Sequence, residues 1–153
     1  MKKLFMVLVL FLPSVLAVTG QELKEVDGIY YADNKPFTGK SITWYENGRI
    51  RMESSFINGE KDGQFKLYHE NGILHEIREY RHNEMHGTWI TWNEKGVKTG
   101  EANYQCGKKH GKWYIWDDHG NLIYEMSYAD GEKSGTWKRF DENGNLLSSR
   151  DFR

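Results

Sequence analysis

Glycines recur every 24 residues at Gly39, Gly63, Gly87, Gly111 and Gly135, and a second glycine follows nine residues after each, at Gly48, Gly72, Gly96, Gly120 and Gly144. An aromatic occupies position 6 of every frame (Trp44, Tyr68, Trp92, Trp116, Phe140), and another occupies position 18 (Phe56, Tyr80, Tyr104, Tyr128, Phe152). Four features held in register through five frames, without one insertion, define a tandem array. The units are 39–62, 63–86, 87–110, 111–134 and 135–153.

Each unit carries two turn signals, Glu-Asn-Gly and Asn-Gly-Glu-Lys in their commonest forms. The runs between them are short and rich in Trp, Tyr, Ile and Phe, which suit a pleated surface. Two strands per unit make an antiparallel meander of β-hairpins. At the first turn, a two-residue type I′ loop would place both central residues in the left-handed region, and Lys95 and His119 occupy one of those positions. A three-residue loop closed by a G1 bulge asks this of the glycine alone. That loop sets position 6 opposite position 12, pairing Trp116 with Leu122, Phe140 with Leu146 and Tyr68 with Leu74. The two-residue period then predicts that positions 12 and 18, Leu122 and Tyr128, share a face. Trp113 and Trp116 have opposite parity, so aromatics emerge on both faces and no helical sequence exists to cover either. The expected fold is all-β: an elongated, single-layer antiparallel β-meander of five hairpin repeats. A lone unit cannot bury its rings, so neighbours must complete each other.

The stretches Gly135-Thr-Trp-Lys-Arg-Phe-Asp-Glu-Asn-Gly144 and Tyr104-Gln-Cys-Gly-Lys-Lys-His-Gly111 resemble the MORN-repeat variant, most closely the bacterial YwqK-type antitoxin family. The lead-in Asp27-Gly-Ile-Tyr-Tyr and Pro36-Phe-Thr-Gly39 is similar to the start of such arrays. The resemblance spans residues 27–153 and implies a hairpin array, with an antitoxin-like or immunity-like role as its functional suggestion. Fold alone assigns no activity.

Ahead of the array, Lys2 and Lys3 precede the apolar run Leu4–Leu12, then Pro13, Ser14 and Val15-Leu16-Ala17. This is the charged, apolar and small-residue order of a secretory signal peptide over residues 1–17, with cleavage after Ala17 or, second, after Gly20. The run is shorter than the roughly 20 residues of a membrane span, so no span is expected after cleavage; retention as an anchor is the alternative. The expected location is periplasmic or secreted, in a bacterium. Residues 18–26 read as a flexible tail and 27–38 as a lead-in strand and loop. The last strand, Ser148–Arg153, is charged, which discourages edge-to-edge addition.

The net charge of −1 and pI near 6.6 argue against nucleic acid, which needs a concentrated basic face. No nucleophile, phosphate-loop or zinc signature occurs, so the chain reads as a non-enzyme without cofactor or metal. His82 and His86 bracket a turn, and the pairs Asp117-Asp118 and Asp141-Glu142 fall on first turns; all read as structural. Cys106, the single cysteine, occupies a second-turn position held elsewhere by Asn58, His82 and Asp130. It cannot staple an exported chain internally. Trp89, Trp113 and Trp137 at position 3, joined by Trp92 and Trp116 at position 6, form a ladder that reads first as packing that holds the array together and second as a binding platform. The leading reading is an exported protein-binding or scaffold module with a protein partner. The alternative is binding of a cell-envelope glycan or lipid through the Trp/Tyr ladder.

Overall fold

In a computed structural model, residues 17–19 and 22–153 are described, with side chains from Glu22 onward. The signal-peptide reading falls almost wholly on residues outside this set. The strands are β1 (Ala17–Thr19), β2 (Lys24–Val26), β3 (Ile29–Ala32) and β4 (Lys35–Pro36), followed by the repeats. Unit one holds β5 (Gly39–Trp44), β6 (Ile50–Ile57) and β7 (Glu60–Lys61), and unit two β8 (Gly63–Tyr68) and β9 (Leu74–Arg81). Next come β10 (Glu84–Trp92), β11 (Lys98–Gln105) and β12 (Lys108–Lys109), then β13 (Gly111–Trp116), β14 (Leu122–Ala129) and β15 (Glu132–Lys133). Unit five contributes β16 (Gly135–Phe140) and β17 (Leu146–Phe152). No helix occurs among the described residues.

The main sheet runs β1-β5-β6-β8-β9-β10-β11-β13-β14-β16-β17, antiparallel throughout except for β1, which lies parallel to β5. The nine steps from β5 to β17 span roughly 43 Å at about 4.8 Å per strand. It is the open, single-layer meander of hairpin repeats that the period predicts. Gly120 N–H donates to Asp117 O (3.0 Å) and Asp117 N–H to Asn121 O (2.9 Å), and Gly120 alone in that turn has positive φ. This is the three-residue loop with its bulge. Trp116 faces Leu122, Phe140 faces Leu146 and Tyr68 faces Leu74, as expected.

The bulge has a consequence that the simple two-residue period misses. Ile115 pairs with Tyr124 but Trp116 with Leu122, so one extra residue of β14 sits between the two pairs. The parity of the strand is thereby reset. Leu122 joins Trp116 on one face, while Tyr124, Met126 and Tyr128 line the other with Trp113 and Ile115. Positions 12 and 18 therefore do not share a face.

The second turns are type I′: Asn58-Gly59, His82-Asn83, Cys106-Gly107 and Asp130-Gly131 all have positive φ at both residues. Each returns a short segment over the sheet, as where Tyr128 pairs with Lys133 and Ala129 with Glu132. Within a unit the two strands of the hairpin share six residue pairs, but between β14 and β16 only Tyr124↔Arg139 and Glu125↔Lys138 remain. Units thus touch near the first turns and splay towards the second.

At the amino-terminal end, Lys24–Val26 is a strand rather than tail. It pairs with β3, and β3 with β4, in a separate three-stranded sheet with Pro36 on its edge. That small sheet caps the array. Beneath it lie the buried Phe37, Phe56 and Phe65, packed by Leu23, Tyr30, Ala32, Met52 and Tyr80.

Candidate binding surface

In units two to five, position 3 packs against position 18 of the unit before and of its own. The result is one unbroken row of rings: Tyr30, Phe56, Phe65, Tyr80, Trp89, Tyr104, Trp113, Tyr128, Trp137 and Phe152. Neighbouring centroids lie 4.7–5.4 Å apart, tilted or edge-on. Such pairs each contribute about 0.5–1.5 kcal/mol beyond burial.

The indoles also close the gap left where units splay. Trp89, Trp113 and Trp137 donate their Nε1–H to the carbonyls of Glu79, Asn103 and Ser127 at 2.9–3.0 Å. The Asn103 and Ser127 carbonyls also accept the backbone N–H of His110 and Ser134. A carbonyl has two lone pairs, so each side chain supplies the bond that the diverging strand no longer makes. Lysines at position 23 lie over the rings, Lys109 at 4.6 Å from Trp113 and Lys133 at 4.5 Å from Trp137. Burial within the row raises the phenols of Tyr104 and Tyr128 above their ordinary values. Tyr30 is pushed up to about 12 by burial and by its hydrogen bond to Glu25.

The candidate ladder of the sequence therefore divides. Trp89, Trp113 and Trp137 belong to the row just described, where each is half-buried. Trp92 and Trp116 stand on the opposite face, because positions 3 and 6 differ in parity and the bulge lies beyond both. Their partners there are at position 12: Lys98 opposite Trp92, Leu122 opposite Trp116. Lys98 also lies 4.6 Å over the Trp116 ring and ion-pairs with Glu101. The ring that does join position 3 is position 18, in the returning strand. Sequence spacing shows both positions, but not that they meet across units.

The opposite face carries ion pairs of its own. Glu125 accepts from Lys112 at 2.7 Å with Lys138 at 3.6 Å, and the Lys112 hydrogen bond holds its carboxyl below the usual range. Tyr68 donates to Glu53 at 2.7 Å; burial first, then this bond, pushes the phenol up to about 12.

The first turns stack along one edge. Asn47 and Asn71 donate to the carbonyls of Glu70 and Glu94 in the following units. Asp117 and Asp141 cap their own loops by accepting from Asn121 and Asn145, which holds both carboxyls low. These acids are turn residues, as their spacing indicates. His82 hydrogen-bonds Glu60 at 2.9 Å, and Cys106 is exposed at the tip of its turn with φ 48°. No cluster of three or more metal-ligating side chains occurs among the described residues.

Between the ring row and the first-turn edge lies a second cross-strand row that sequence reading missed. It runs Thr91–Gly100–Ile115–Tyr124–Arg139–Ser148, each residue directly paired with the next. No residue type recurs at these positions, so no periodic signal marks them. At its far end Tyr124, Lys133, Trp137, Arg139, Arg150 and Phe152 surround an open depression of about 430 Å³.

Fold and surface together define a hairpin-repeat array: a one-layer sheet with a binding role. The MORN repeat variant family matches residues 37–58, 61–82, 109–130 and 133–153, more than half the chain. The chain belongs to that family, which is generally non-enzymatic. Residues 83–108, nearly all of the third unit, lie outside the matched stretches. There the returning segment and first strand fuse into β10, with Met85 where other units carry lysine. No curated protein matches the chain.

Proposed function

We propose that this protein is an exported, non-enzymatic module that binds a protein partner along the ring-row face, in the manner of an antitoxin or immunity protein that occupies its target. The observation that carries this reading is the open second row. Its rings and backbone are already satisfied by the array, yet Ile115, Arg139 and Arg150 are exposed on this face. A single-layer sheet exposes such a surface without any conformational change, which limits the ordering cost of binding.

The test is affinity capture from envelope extract on the immobilised chain, competed with free chain. One stoichiometric protein displaced by competitor supports the reading; absence of any competed protein contradicts it. A second reading, envelope glycan binding, draws on the half-exposed Trp92 and Trp116 of the opposite face. Saturable glycan binding lost in Trp92→Ala/Trp116→Ala would favour it.

A further inference from the structure

The two ends of the second row differ in charge. In unit two, Arg78 is neutralised by Glu76 at 2.6 Å. In unit five, Arg139 and Arg150 share the ring-row face with Lys133, and no carboxylate pairs with any of the three among the described residues. Their contacts are rings instead: Arg139 lies 6.0 Å from Tyr124, Arg150 5.0 Å from Phe152, and Lys133 4.5 Å from Trp137. Every strand residue of units three to five on this face is neutral or cationic. In those units the strand acids Glu101 and Glu125 lie on the opposite face; Glu76, which pairs with Thr91 at the far end of the row, is held by Arg78. A near-neutral protein has thus segregated three free cations around one depression.

From these cations the row continues as Tyr124, Ile115, Gly100 and Thr91, with Met126 and Ala102 beside it. That stretch is apolar, and Ile115 is 41% exposed. Over Gly100 the space is taken by the Thr91 side chain, so the row stays level there. A nucleic acid would need cations along the whole track, and from Thr91 to Tyr124 the row itself carries none; the next lysine on this face, Lys109, is laid over the Trp113 and Tyr128 rings. A polypeptide alternates charge and apolar bulk over this distance. From Thr91 to Ser148 is five strand steps, roughly 24 Å, the length of about seven extended residues.

We infer that this groove takes an extended polypeptide segment of about seven residues, acidic at the end lying over Arg139 and Arg150 and apolar where it crosses Tyr124, Ile115 and Gly100. The inference rests on the protein-binding reading above and specifies its partner's chemistry. Guanidinium groups stacked on rings keep their planar donor forks free for carboxylates. The same charges disfavour a second copy of this chain, whose own groove is cationic.

The test uses the full chain and fluorescein-labelled heptapeptides, followed by anisotropy. One peptide carries two glutamates at one end followed by leucine and valine; the second replaces the glutamates with lysines. The glutamate peptide is expected to bind, more weakly as salt rises, and at least about tenfold tighter than the lysine peptide. Arg139→Glu/Arg150→Glu should reduce its affinity by at least about tenfold. Arg139→Gln/Arg150→Gln, checked by thermal melting, serves if charge reversal impairs folding. Failure of the glutamate peptide to bind, equal binding of both peptides, or indifference to both variants overturns the inference. Tighter retention of the chain on anionic vesicles than on the peptide also overturns it. A competed protein partner whose capture ignores both variants overturns this inference and leaves the protein-binding reading standing.

Discussion

The two ends of the array solve one packing problem differently. At the amino-terminal end the ring row is roofed by β2–β4, which contributes Tyr30; the rings beneath are phenylalanines, Phe56 and Phe65 of the row with Phe37 beside them, only 3–6% exposed. From Tyr80 of unit two onward the row turns to Tyr and Trp. These rings keep an apolar body in the row and a polar edge for a backbone carbonyl or water, with lysine stems laid across them. The terminal strand β17 is almost wholly exposed. Ring type follows cover: phenylalanine where a second layer excludes water, tryptophan and tyrosine where only the returning turns do. Phe152, at the uncovered end, is the exception.

The greatest loss of stability is expected from Phe56→Ala. Phe56 touches Tyr30, Phe37 and Phe65, and truncating a buried ring costs about 3–5 kcal/mol. Urea unfolding should show this loss. A loss no greater than that of Trp137→Ala would mean that the roofed end is not the stable one.

A glycine pair isolates the roof itself. At Gly59 an added Cβ would lie 2.9 Å from Tyr30 O, whereas at Gly131 the nearest atom is 3.9 Å away; both have positive φ. Gly131→Ala should cost about 1–2 kcal/mol from backbone strain alone, and Gly59→Ala more, because the roof must shift. Equal melting temperatures for the two variants would contradict the close docking of β3 on the array.

Trp113→Phe keeps the ring but removes the Nε1–H donated to Asn103 O. The loss should be about 0.5–1.5 kcal/mol, since that carbonyl retains the His110 N–H. At acid pH, the sign follows from the lowered carboxyls of Glu125, Asp117 and Asp141. A carboxyl depressed in the folded state stabilises above its unfolded pKa, about 4, and that contribution is lost as pH falls through the folded value. All three lie in units four and five. Exchange at low pH should therefore loosen these units first; acid loosening that starts in unit one would count against this. The smallest change is Cys106→Asn, which places a tolerant side chain at φ 48° and should stabilise by about 0.5–1 kcal/mol.

Much of this molecule is legible in its sequence because glycine spacing dictates backbone geometry. The hairpins, the three-residue loop and the pairing of Trp116 with Leu122 all follow from where Gly120 must sit. What stays hidden depends on events between units. The extra residue of the bulge resets parity, so Leu122 leaves the face of Tyr128. Position 3 finds position 18 of the preceding unit rather than position 6 of its own. Lys24-Glu25-Val26 is polar and exposed on both sides, so it reads as tail, yet β3 offers it a partner. The groove at Arg139 and Arg150 has no repeating residue, and repetition was the signal that made the rest readable.

A roofed phenylalanine core anchors a progressively more open row of rings. Native-state hydrogen exchange, resolved by peptide, should show strongest protection in β5, β6, β8 and β9, declining through β13 and β14 to least in β17. Uniform protection across the array, or a maximum in β16 and β17, would contradict it.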